Sequence, residues 1–207
     1  MTDRDNMRAE RRAPVNAAAG GAGGTPGVSH GGSPGGTPGG SPAGRVARLG
    51  MLLGVALALY AVESALPSPF PFVRIGLANV ATLLALMTLG FADAVTITVL
   101  RVVVASLVVG TFMGPGFGLA MAGGVAGAVG MGLAARYALP PLSVVGVSVV
   151  GAALHNLAQL GVVAGLYTGV GPALRLLPAA LLLSAATGLV TGLFALFSLE
   201  KLGLLRR

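Results

Sequence analysis

The sequence predicts an all-α membrane protein: a polytopic bundle of about six transmembrane helices behind a disordered, Gly/Pro-rich N-terminal tail. Three observations predict it. Charged residues make up 9% of the 207-residue chain and the apolar set 55%, whereas a soluble domain carries about a quarter charged residues. From Arg45 onward the apolar residues gather into stretches long enough to cross a bilayer, for which ~20 residues suffice. Finally, 12 Gly fall within residues 20–44, where there is almost nothing to bury.

The tail occupies residues 1–44. Its dipeptides Thr25-Pro26, Ser33-Pro34, Thr37-Pro38 and Ser41-Pro42 oppose both helix and strand, so a disordered linker is expected. No apolar h-region follows the early charges within 30 residues, so no signal peptide is expected. The glycines do not form a phosphate loop, because no strand precedes them and no Gly-Lys-Ser/Thr closes them. His30 lies in this tail and carries no weight.

The transmembrane domain occupies residues 45–207. Its spans are expected at 47–65, 72–90, 92–111, 117–136, 143–167 and 173–198. The breaks fall at Pro67, Pro69 and Pro71, at Gly90, at Gly114-Pro115-Gly116, at Pro140-Pro141 and at residues 169–172. Proline has no N–H to donate and disfavours helix in the residue before it. Six spans put both termini on one side. That side holds Arg45, Arg48, Arg136, Lys201, Arg206, Arg207 and the tail arginines, against Arg74 and Arg175 on the other. Basic residues favour the cytoplasm, so both termini are expected there, in a multi-pass protein of the cell membrane.

Small residues recur at four-residue spacing. One row is Gly50, Gly54 and Ala58. A second is Ala120, Gly124, Ala128 and Gly132, with Gly123 and Gly127 beside it. Ser184, Gly188 and Gly192 make a third. Such rows let helix backbones approach closely. They read either as internal packing or as a docking face for a membrane partner, and the first row is the best candidate for docking.

Composition narrows the chemistry. There is no Cys and there are only 2 His, so thiol catalysis, iron–sulfur clusters and multi-His metal sites are not expected. No cofactor, metal or nucleic-acid partner is expected, and no catalytic residue is assigned. No nucleotide-binding motif is present, so any ATP coupling must come from a partner chain.

The ionisable residues inside the spans are few: Glu63, Arg101 and His155, with Asp93 near a boundary. Each costs about 2.5–3.5 kcal/mol at mid-bilayer if charged and unpaired, so all should face the interior. At ~1.5 Å per residue, Glu63 and Gln159 lie about 24 Å above the cytoplasmic edge, Asn79 and Asn156 about 20 Å and His155 about 18 Å. Arg101 lies lower, at about 12 Å. His155 and Gln159 share one helical face, and Asn156 is rotated towards a neighbour. The trio reads as a binding surface or as interhelical hydrogen bonding. Glu63 reads as a site carboxylate or as a boundary group satisfied by water, and Arg101 as a site residue or as a structural pair with Asp93 or a helix-end carbonyl. The stretch from Glu63 to Asn79 carries Pro67, Pro69 and Pro71, which stiffen it into an extended path. It reads as a lid or as a rigid turn. Arg74 within it could pair with Glu63 or bind an anion.

Several of these residues carry a family resemblance. They are Glu63, Pro67, Pro69, Pro71, the run Arg74-Ile75-Gly76-Leu77-Ala78-Asn79, Arg101, and the run from Gly151 through His155 and Asn156 to Gln159. On them the chain resembles the Gx transporter family, also catalogued as heptaprenyl diphosphate synthase component I, over about residues 48–200. Arg74 departs from the Lys usual there, which keeps the charge and changes the donor geometry. The family is similar in layout to the substrate-binding subunits of energy-coupling factor transporters.

The resemblance implies two functions. One is a binding and transport subunit for a small solute or ion, held by Glu63, Arg74, Asn79, Arg101, His155, Asn156 and Gln159, with a membrane coupling subunit and its ATPase as partners. The other is a non-catalytic membrane component of a prenyl diphosphate synthase, with a prenyl transferase subunit as partner. Prenyl transfer needs acidic clusters that hold Mg²⁺ against diphosphate. From Arg45 on, the acids are Glu63, Asp93 and Glu200, dispersed along the chain. Transport is the preferred expectation.

Overall fold

The computed structural model describes residues 41–65, 76–138 and 142–204. All of them belong to one compact unit, Gly39–Arg207. The helices are α1 (Pro42–Ala65), α2 (Ala78–Thr88), α3 (Phe91–Val109), α4 (Pro115–Tyr137), α5 (Val144–Val163) and α6 (Val170–Lys201). One π-helical turn, Ala164–Thr168, joins α5 to α6. Among the described residues there is no strand. The all-α expectation therefore holds, and the protein is a multi-pass membrane bundle.

Two boundaries differ from expectation. α1 starts at Pro42, inside the segment expected to be disordered. Ser41 caps it: its Oγ accepts from the Gly44 N–H at 3.2 Å, and Pro42 takes the first helical position, where a missing N–H costs nothing. The second span, expected over 72–90, is the 11-residue α2. Five of the helices are long and apolar enough to cross a membrane, and α2 is not among them. It is about 16 Å long, roughly half the hydrocarbon thickness. Gly76 at φ 78° and Gly90 at φ 106° bracket it, in the left-handed region that glycine enters readily.

α2 is nevertheless the centre of the bundle. It packs against α1, α3, α4 and α6, and Ala78, Val80, Ala81, Thr82, Leu83 and Ala85 are all buried. One cluster joins Ala81 and Ala85 to Ala56, Ala94 and Ile97. Another joins Val80 and Leu83 to Met131, Val147 and Ala195. The exterior is apolar, with Met51, Leu107, Val108, Leu133, Leu182 and Phe197 among its exposed side chains. This inside-out distribution is what a lipid solvent requires, since buried apolar area gains nothing there and small residues set the packing.

The registers are antiparallel along the chain. Asn156 meets Ser184 and Ser148 meets Thr191 between α5 and α6. Gly123 lies beside His155 and Gln159, and Gly127 beside Gly151, between α4 and α5. α1 and α3 run parallel, joined at their first turns by Arg45 and Asp93, with Nε to Oδ2 at 3.1 Å. One end of the bundle therefore carries Arg45, Arg48, Asp93, Arg136 and Lys201. The other carries the end of α1, the start of α2 and the α3–α4 turn.

Candidate functional site

At the end away from the basic residues the helices enclose a cavity of about 230 Å³. Every long helix contributes to it. Glu63 comes from the last turn of α1, Asn79 from the first turn of α2, and Arg101 from the middle of α3. Phe117, Leu119 and Ala120 come from α4. His155, Asn156 and Gln159 come from α5, and Thr187 and Thr191 from α6. The structure thus brings together six of the residues singled out from sequence. Arg74 lies outside the described residues, as does the proline-bearing stretch from Pro67 to Pro71.

Glu63, Arg101, Asn79, Asn156 and Gln159 are each held by a neighbour. Glu63, only 8% exposed, accepts the Gly76 N–H through Oε1 at 2.5 Å. This bond ties the end of α1 to the chain entering α2. Arg101 donates from Nη2 to Asn79 Oδ1 at 3.4 Å. The expected alternative pairing with Asp93 does not occur, because Asp93 is held by Arg45. Nor is Arg101 set apart by depth. Its long side chain and the tilt of real helices, both ignored by a simple rise per residue, bring it to the same cavity.

The α5 trio divides as helical rotation predicts. His155 and Gln159 face α4, where a Cβ on Gly123 would lie 2.9 Å from both His155 Nε2 and Gln159 Cγ. Gln159 Nε2 donates to the Leu119 carbonyl at 3.4 Å. Asn156 faces α6 and donates from Nδ2 to Ser184 Oγ at 2.8 Å. Among the described residues, His155 Nδ1 is buried without a hydrogen-bond partner.

Tyr60, Ser106, Thr111, Phe117, Thr187 and Thr191 also line the cavity, and sequence reasoning missed them. Tyr60 was findable, since it precedes Glu63 by three residues and shares its face. Thr187 and Thr191 follow the same spacing beside the Ser184 row. The first small-residue row lies elsewhere. Gly50, Gly54 and Ala58 are exposed on α1, and a Cβ on Gly50 or Gly54 would meet nothing within 4 Å. Among the described residues no three His, Asp or Glu side chains converge as metal ligands.

An apolar exterior around a polar interhelical cavity defines a polytopic membrane protein with an internal pocket. Residues 52–198, well over half of the chain, match the family model described as heptaprenyl diphosphate synthase component I. The chain belongs to that family, as Glu63, the Arg74–Asn79 run and the Gly151–Gln159 run led us to expect. No curated protein and no solved structure matches the chain.

Proposed function

We propose that the chain is the substrate-binding subunit of a membrane carrier for a small polar solute. The observation that carries this reading is the cavity, where Glu63, Asn79, Arg101, His155, Asn156 and Gln159 converge from four helices at one end of the bundle. Such residues are costly within a membrane and mark solute pathways. The basic residues of the opposite end favour the cytoplasm, so the cavity belongs to the outer half. Gly50, Gly54 and Ala58 offer a surface where a coupling subunit's helix can approach closely, and that subunit would recruit an ATPase.

The family's description favours a second reading, as a non-catalytic membrane component beside a prenyl transferase subunit. The acids available to hold Mg²⁺-diphosphate are far apart. Glu63 lines the cavity, while Asp93 pairs with Arg45 at the other end of the bundle and Glu200 ends α6 near there. On this reading the transferase chemistry belongs to the partner.

Three measurements test the proposal. Single Cys residues at Ser41 and Leu204 should label from the cytoplasm only, and one at Thr111 from outside only; labelling of positions 41 and 204 from opposite sides would sink the topology. Glu63→Gln, His155→Ala and Gln159→Ala should each reduce solute uptake about tenfold or more, equivalent to ~1.4 kcal/mol, while remaining monodisperse. Copurification from native membrane should recover an ATPase-linked membrane subunit. Recovery of a prenyl transferase alone, with altered prenyl-chain yield on deletion, would replace transport with the second reading.

A further inference from the structure

Gly76 belongs to the Arg74–Asn79 run that carries the family resemblance, and three parts of it are in use. Its N–H donates to Glu63 Oε1 of α1 at 2.5 Å. Its carbonyl accepts the Asn79 N–H at 2.8 Å, which closes a turn leading into α2. Its bare Cα leaves room for Asn79, since a Cβ there would lie 3.3 Å from Asn79 Nδ2. The turn also sits at φ 78°, where residues with a Cβ are strained.

Such a turn needs support from outside α2. Leu77 stands at the N-cap of α2 and offers no side-chain acceptor. The chain enters α2 beside buried Ala78 and beside Glu63, itself 8% exposed. Backbone groups at such a place need partners in the protein, and Glu63 supplies one from a different helix. What the turn sets is Asn79. Arg101 is a donor only, so the Asn79 atom at 3.4 Å from its Nη2 is the carbonyl oxygen. The Asn79 NH₂ is then the end turned to Gly76. Glu63, Gly76, Asn79 and Arg101 all line the cavity, so a rotation of Asn79 would remake that wall.

We infer that Gly76 is a positioning residue: anchored by Glu63, it holds the Asn79 carboxamide in the orientation that meets Arg101. Glu63 thereby acts on the cavity through the backbone of Gly76. One turn of chain joins a carboxyl group on α1 to a guanidinium on α3, and the wall these helices share with α2 is set before any solute arrives. The inference rests on the cavity being the solute site, and it adds how one wall of that site is held. An alanine at position 76 would fail twice, by strain in the turn and by crowding the Asn79 nitrogen.

The test needs no solute. The full chain in lipid nanodiscs is labelled with ¹⁵N in its asparagine side chains, which are Asn6, Asn16, Asn79 and Asn156. Loss of a signal in Asn79→Ala assigns the Asn79 carboxamide, and Arg101→Lys should shift it. Gly76→Ala should shift the Asn79 signal and leave that of Asn156, on α5, in place. Glu63→Leu should do the same, and the Gly76 amide, followed in ¹⁵N-glycine-labelled protein, should exchange at least about tenfold faster. Glu63→Gln retains an acceptor oxygen and should fall between wild type and Glu63→Leu in both readouts. Where Gly76→Ala or Glu63→Leu does not fold, Glu63→Gln carries the test. A purely structural role would lower Tm without moving Asn79 relative to Asn156, and that result overturns the inference. So does a Gly76 amide that exchanges equally with and without the Glu63 carboxyl. The site reading falls separately, if the Glu63, His155 and Gln159 variants leave uptake unchanged while the Asn79 signal still moves.

Discussion

The α4–α6 half of the bundle and the outer face of α1 use the same residues for opposite ends. Both carry small residues at four-residue spacing. In α6, a Cβ on Gly188 would lie 2.6 Å from Val149 Cα, and one on Gly192 2.8 Å from Val145 Cα. These glycines are closed against the backbone of α5. On α1, Gly50 and Gly54 would meet nothing within 4 Å. Spacing alone thus announces that two helices can approach closely, but not whether they already have. Within this chain one row is a finished interface and the other is bare. Gly123 is a third case, because its neighbours are the side chains of His155 and Gln159 rather than backbone.

The comparison can be broken or sharpened by substitution. The largest effect is expected at Gly188→Ala, where backbone must move to admit one methyl group. Overpacking of this kind costs about 1–3 kcal/mol, and thermal unfolding in detergent should show a clear fall in Tm. An unchanged Tm would mean that the α5–α6 interface is looser than its geometry. Gly123→Ala comes next. Its Cβ would crowd His155 Nε2 and Gln159 Cγ, which can swing aside, so stability should drop by less than at Gly188. Solute binding should weaken roughly tenfold, about 1.4 kcal/mol, because the two groups that move belong to the cavity. Normal binding in this variant would show that the His155 position is not critical. The smallest effect on the fold is expected at Gly54→Leu, within about 0.5 kcal/mol for a side chain that touches nothing. The same variant should lose copurification of the coupling subunit while the isolated chain still binds solute. A variant that binds neither partner nor solute would place Gly54 in the fold rather than at a docking face.

Much of the site was legible because helical geometry is rigid. The spacing of His155 and Gln159 put both on one face, and the rotation of Asn156 sent it to a neighbour, now seen as Ser184. The family-bearing residues around Glu63 and Asn79 also converge as expected. What could not be read depended on competition between distant groups. Asp93 had two candidate arginines, and Arg45 takes it because α1 and α3 start side by side. The α1 start was misread for a local reason: Ser41-Pro42 resembles the linker dipeptides before it, yet it is also a cap followed by a first-turn proline. The start of α2 was hidden because Phe72, Val73 and Ile75 extend the apolar run ahead of Gly76, so hydropathy alone does not show where the helix begins, whereas Gly90 marked its end.

That short central helix has a consequence for how the protein is made. Eleven residues are too few for α2 to partition into a bilayer unaided. Its place depends on surfaces supplied by α1 and α3 and, later, by α4 and α6. The cluster around Val80 and Leu83 is completed by Val147 and Ala195, which leave the ribosome long after α2 itself. Synthesis therefore precedes closure by more than a hundred residues at the far edge of the core. Until α6 arrives, α2 has no finished seat, and chains truncated before Ala195 should be the ones that quality-control proteases clear.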